Sequence, residues 1–234
     1  MTDRTEGSFL SRVLKTKTRK LLIALCFLLS LPVLLFLTVW LLPRPIDTTP
    51  AWVFEGDGSE IDYCELPVLD STGLMAKDIP QAHTPGCGYT VFPQPILKGC
   101  TEPLPAGAQD IRGLWQSIDP RLPEHVERVE MCGDRVVVTA QGIIHDHAPD
   151  MLSNDVVPSE IGPWTFCLRT SQATTSWEDN KLHFKLLGGP TVVTRFIEDG
   201  VYQWTHPRFG HIKMKRICKV PEHARTSPGR SHAL

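Results

Sequence analysis

Apolar and polar positions follow three different patterns along this chain, and each predicts a different kind of element. Residues 21–42, LLIALCFLLSLPVLLFLTVWLL, are an unbroken apolar run of 22 residues. As a helix this run would reach roughly 33 Å, enough to cross a bilayer core with slight tilt. Ser30 and Pro32 interrupt it, and both residue types are tolerated in membrane helices. Arg4, Arg12, Lys15, Lys17, Arg19 and Lys20 precede the run; Arg44 follows it, with no further Lys or Arg until Lys77. The positive-inside rule therefore predicts a single-pass signal anchor in the cell (inner) membrane, with residues 1–20 cytoplasmic and everything beyond 42 periplasmic or extracellular. A cleaved signal peptide would have an apolar core of about 7–15 residues and a small-residue cleavage site. Leu41-Leu42-Pro43-Arg44-Pro45 offers no such site.

Residues 43–110 show no period. Ten prolines fall between Pro43 and Pro105, too many for helices or inner strands. The segment reads as an extracytoplasmic tether, with Trp52-Val53-Phe54 and Tyr89-Thr90-Val91-Phe92 as patches able to pair at an edge or pack on a wall. From 111 to 218 the pattern becomes short β-type runs separated by turn signals about every ten residues, which predicts an all-β domain. Gly133-Asp134 suits a type II′ hairpin that sets Met131 opposite Val136 and Val129 opposite Val138. Asp199-Gly200 suits a type I′ hairpin that sets Ile197 opposite Tyr202 and Arg195 opposite Trp204. With 111–118, 164–170, 181–187 and 211–218 as further strands, roughly eight are expected, mostly up-and-down. Such a meander removes its exposed edges by closing into a small antiparallel barrel. A long irregular loop is expected at 146–163, and 219–234 reads as a disordered polar tail.

Charge and cysteine agree with a chain divided by a membrane. Residues 1–42 hold six basic and two acidic residues, leaving eighteen basic and twenty-four acidic beyond them. The distal part is mildly acidic and carries no electrostatic footprint for nucleic acid. Cys26 falls in the apolar run, whereas Cys64, Cys87, Cys100, Cys132, Cys167 and Cys218 all fall beyond it, where disulfides form. No C-x-x-C occurs, so zinc-knuckle and thioredoxin chemistry have no support. Three of the six lie in the tether and three in the β domain. If all six pair, at least one bridge must strap the tether to the domain. The missing N-x-[ST] acceptor hints at a bacterial envelope.

The opening Ile111-Arg112-Gly113-Leu114-Trp115-Gln116 resembles the G-x-W start of lipocalins and related calycin barrels. In that family an arginine of the last strand packs across the tryptophan. Arg216 shares a face with Ile212 and Met214 in the last predicted strand and matches that position. The resemblance implies a barrel-closing pair, Trp115 and Arg216, and non-covalent binding of a small apolar or amphipathic molecule in the lumen.

Two constellations have chemical potential. His145-Asp146-His147, with Asp150, Asp155 and Glu160 nearby, is read as a solvated acidic loop. Its histidines are expected on opposite faces, so one metal cannot easily take both unless the chain turns there; a metal site is the lesser alternative. Arg195, Tyr202, Trp204 and His206 share one hairpin face; turned inward, they form an aromatic pocket with one fixed cation, suited to an apolar ligand with an anionic head, and otherwise they serve packing or, turned outward, a surface cation–π contact, a choice that alternation leaves open. His125, His183 and His211 read as exposed. There is no G-x-S-x-G, H-E-x-x-H, P-loop or dinucleotide fingerprint, so no catalytic residue and no cofactor is implied. The expectation is a membrane-anchored binding barrel whose partners are the membrane and a lipid or similar ligand. The alternative is an interaction module that meets a protein partner in an envelope assembly.

Overall fold

The computed structural model describes residues 20, 25–34, 57–82, 84, 89–148, 153–157, 169–186 and 189–226; for 153–157, 169–172 and 186 it describes the backbone alone. The chain divides into two compact units, Met1–Ile46 and Asp47–Leu234. In the first unit residues 25–34 are helical and every one of them is exposed, among them Phe27, Leu28 and Leu34. No helix among the described residues is long and apolar enough to cross a membrane. Residues 21–24 and 35–42 of the apolar run lie outside the described residues.

The second unit is a nearly closed, barrel-like antiparallel sheet. Its strands are β1 (Gly113–Ser117), β2 (Val126–Cys132), β3 (Arg135–Ala140), β4 (Ile143–His147), β5 (Ser153–Val157), β6 (Arg169–Glu178), β7 (Lys181–Leu186), β8 (Thr191–Glu198), β9 (Val201–His206) and β10 (Gly210–Ile217). Lateral order is β4-β3-β2-β1-β10-β9-β8-β7-β6-β5, an up-and-down meander joined through β1 and β10. Its two edges, β4 and β5, run close together, and no ladder joins them among the described residues.

Both expected hairpin registers are present: Met131 faces Val136, Val129 faces Val138, Ile197 faces Tyr202 and Arg195 faces Trp204. Asp199 and Gly200 both have positive φ, 52° and 74°, as a type I′ turn requires. Where roughly eight strands were expected, the described residues hold ten. Gln141-Gly142 and Asp179-Asn180 are further positive-φ turns, and β5 occupies the middle of the segment read as a loop at 146–163. Residues 158–168, including part of the strand expected at 164–170, lie outside the described residues.

Burial along the strands shows what covers each wall. In β10 exposed His211, Lys213 and Lys215 alternate with buried Ile212 and Met214, the pattern of a strand with one wet face. In β2 and β3 every residue is buried. Inner positions of β1–β3 and β7–β10 form one core, which includes Trp115, Val129, Met131, Val136, Leu182, Tyr202 and Ile212. A second core lies outside the barrel, where Tyr63, Ile79, Phe92, Ile96 and Leu97 pack on Leu114, Val126, Val137 and Ile144. The Pro-rich segment is thus a strap on the outer wall of β1–β4, built of short 3-10 turns (Gly58–Glu60, Ala76–Asp78) and isolated bridges.

Polar groups and disulfides hold this strap. The strap forms isolated bridges and no ladder, and two arginines on the outer wall donate to several of its carbonyls. Arg135 forks onto Asp146 and also donates to the carbonyl oxygens of Ala76, Ile79 and Pro80. Arg128 pairs with Glu130 and donates to Tyr63 Oη and the carbonyls of Pro93 and Gln94. Cys64 bridges to Cys218 and Cys100 to Cys132, so both bridges join strap to barrel. Cys87, Cys167 and Trp52-Val53-Phe54 lie outside the described residues. The segment from 219, expected to be disordered, is placed as far as Thr226: Val220 is buried, Glu222–Arg225 form one helical turn and Thr226 bridges to Val91.

Candidate functional site

The β8–β9 hairpin sets the site. Its type I′ turn fixes the register, and with period 2 along each strand Arg195, Tyr202, Trp204 and His206 fall on the inner face. All four sequence-predicted residues therefore lie on one wall. Arg195, Tyr202 and Trp204 are buried, and His206 is half-buried near the β9–β10 turn.

Arg195 is not the free-standing cation expected from sequence. Across the interior its guanidinium pairs with Glu127 of β2, which is 1% exposed. Arg195 also donates to Tyr202 Oη at 2.5 Å, and its Cζ lies 5.4 Å from the Phe184 ring centroid and 5.6 Å from that of Trp204. His125, just before β2, contacts the other Glu127 oxygen at 3.4 Å and sits edge-on to Trp204. His125 is corrected from an exposed residue to a buried one. Among the described residues Arg195 Nε and His125 Nδ1 have no hydrogen-bond partner, and neither has Oγ1 of Thr175, which stands opposite Phe184 on the inner face of β6.

The electrostatics follow from burial against pairing. Burial alone would raise the Glu127 carboxyl; the Arg195 charge and His125 outweigh it and hold Glu127 at about 2. Burial works against the Arg195 cation, and Glu127 more than compensates, so Arg195 stays charged. Tyr202 is pushed well up, chiefly by burial, and remains neutral. His206 is pushed down by burial and then by the Arg195 charge, which favours its neutral form. The interior thus holds one compensated ion pair among aromatic rings. Glu127 was legible in principle: it alternates with Val129 and Met131, and a carboxylate on an apolar face needs a partner.

Trp115 and Arg216 stand opposite each other across the β1–β10 ladder, with Arg216 Cζ 5.8 Å from the indole centroid. Trp115 is buried, stacks on Tyr202 at 4.8 Å and donates Nε1–H to the Ile111 carbonyl at 3.1 Å, whereas Arg216 is exposed. Gly113 has φ +151°, and a Cβ there would come 3.3 Å from the Trp115 ring. Glycine two residues before tryptophan therefore has a steric reason.

The expectation of opposite faces for His145 and His147 is corrected. Residues i and i+2 of one strand share a face, and β4 turns both rings inward, 6.0 Å apart, with His147 edge-on to Phe184. Asp146 points to the outer wall, onto Arg135. Asp150, Glu160 and the Asp155 side chain lie outside the described residues. Among the described residues one trio has metal-ligand spacing, Asp62, Cys64 and Cys218, but its two sulfurs are joined in a disulfide. A cleft of about 400 Å³ opens between strap and outer wall, beside Leu66, Pro67, Leu97 and Arg112. Comparison of the chain with protein-family models, with curated proteins and with solved structures finds no match.

Proposed function

We propose that this chain is a membrane-anchored, extracytoplasmic, lipocalin-like barrel that binds a small apolar or amphipathic molecule in its interior. One observation carries the reading: a buried polar cluster, Glu127–Arg195–Tyr202–His125, lies among aromatic and apolar side chains of the barrel interior and includes atoms with no polar partner among the described residues. Buried polar atoms are nearly always satisfied, so such a cluster calls for a further polar group. The Gly113, Trp115 and Arg216 geometry supports the family resemblance. Anchoring is supported by the 22-residue apolar run, its basic N-terminal flank, and the exposed apolar side chains of residues 25–34.

Native mass spectrometry of the full chain, purified from membranes in a mild detergent and followed by organic extraction, tests this reading. The expected result is one co-purifying small molecule per chain. A bare protein mass that no lipid panel shifts would contradict it. The packed contacts among Trp115, Tyr202, Trp204 and Phe184 support a second reading, an interaction module with a filled core and a protein partner in the envelope.

A further inference from the structure

We infer that the barrel interior selects an uncharged, carbonyl-bearing head, such as an acyl ester, over the carboxylate of a free fatty acid, because Glu127 already neutralises Arg195. The inference rests on the proposed binding role and specifies its ligand. Arginine facing into an apolar barrel would ordinarily be matched to an anion from the ligand. Here the anion is internal: Glu127 is itself 1% exposed and lies against the guanidinium. A ligand carboxylate would become a second anion sharing one cation in a medium of low dielectric, which strongly disfavours ionisation of both. Tyr202 and the half-buried His206 favour their neutral forms. Arg216, of inward register over Trp115, is exposed at the end of the barrel, where solvent and salt screen it.

The unmet atom defines the head group more closely. Arg195 Nε is buried and has no partner among the described residues, and a guanidinium N–H can only donate. Its complement is a hydrogen-bond acceptor, and a neutral carbonyl oxygen supplies one without adding charge. The wall beside it, formed by Phe184, Trp204, Leu182 and Ile212, suits an acyl chain. A monoacylglycerol has both parts; the matching fatty acid differs in its charged head.

The test is a competition on the full-length protein in detergent. Equal amounts of a monoacylglycerol and the matching fatty acid are offered, and retained ligand is read by native mass spectrometry for wild type and Glu127→Gln. The expected result is at least about tenfold preference of the wild type for the monoacylglycerol, the ratio that a difference of 1.4 kcal/mol produces. In Glu127→Gln, where Arg195 loses its counter-ion, the preference should reverse. Wild-type preference for the fatty acid would overturn the inference and leave the binding role standing, as would a folded Glu127→Gln protein with unchanged preference. If Glu127→Gln does not fold, the wild-type competition decides alone. Retention of neither ligand would overturn the inference, and a bare protein across the wider lipid panel would overturn the binding role as well.

Discussion

Arg195 of β8 and Glu127 of β2, 68 residues apart in sequence, form an ion pair inside the barrel, with the tyrosine of the facing strand β9, Tyr202, as a further acceptor. Removing one partner leaves the other charge buried without compensation. Glu127→Ala should therefore lower unfolding free energy by about 3–5 kcal/mol, whereas an apolar double replacement, Glu127→Leu with Arg195→Met, should cost far less. Chemical denaturation of the three proteins measures this. Equal losses in single and double variants would show that packing, and not charge, dominates at the site.

The same pair makes stability depend on pH. Glu127 is lowered from 4.5 to about 2 in the folded protein, so its contribution is complete above the unfolded value. It is lost as pH falls through the folded one. Melting temperature should drop between about pH 4.5 and 2, and Arg195→Met should flatten this part of the profile. A variant that keeps the full slope would assign it to other carboxylates.

On the outer wall, Arg135 is the counterpart of Arg195, but besides its carboxylate, Asp146 of β4, it holds carbonyls of the strap. Arg135→Ala removes the fork to Asp146 and donors to three strap carbonyls, at an expected cost of about 3–5 kcal/mol. Arg135→Lys should recover little, since one ammonium cannot span that set. Hydrogen exchange at residues 76–82 is the specific readout, because it should rise more than exchange in β8–β10. Uniform loss of protection would mean that strap and barrel open as one unit.

At the β1–β10 junction the two members of the pair should behave unequally. Trp115→Ala empties a core position and should cost about 3–5 kcal/mol, whereas Arg216→Ala removes an exposed cation–π contact worth about 0.5–1 kcal/mol. Gly113→Ala should also destabilise, since φ is +151° and the new Cβ would approach the indole at 3.3 Å. Thermal unfolding ranks the three; Arg216→Ala matching Trp115→Ala would contradict the assignment.

What could be read from the sequence was mostly local. Gly133-Asp134 and Asp199-Gly200 announce their hairpins because two-residue turns constrain φ. Trp115, Arg195, Tyr202, Trp204 and His206 were placed correctly relative to their own strands, because alternation needs only a register. The strap was hidden because packing on a wall leaves no period in the packing chain. Its signal lay instead in β2 and β3, where Arg128, Glu130 and Arg135 occupy the non-lumenal face beside Val126 and Val137, a mixture that a wet face would not bury. Glu127 was missed as the Arg195 counter-ion because pairing between β2 and β8 is set by barrel closure, which no local rule supplies. Strand β5 was masked by the polar residues Ser153, Asn154 and Asp155, which score as loop.

Photo-crosslinking in native membranes distinguishes the interior of the barrel, the proposed place of binding, from the outer cleft and the apolar run, using the full chain and a monoacylglycerol with a diazirine in its acyl chain. Binding in the interior should give adducts on inner-face residues such as Phe184, Trp204 and Ile212, competed away by unlabelled monoacylglycerol. Adducts confined to residues 21–42, or on Leu66 and Leu97 of the outer cleft, would contradict it.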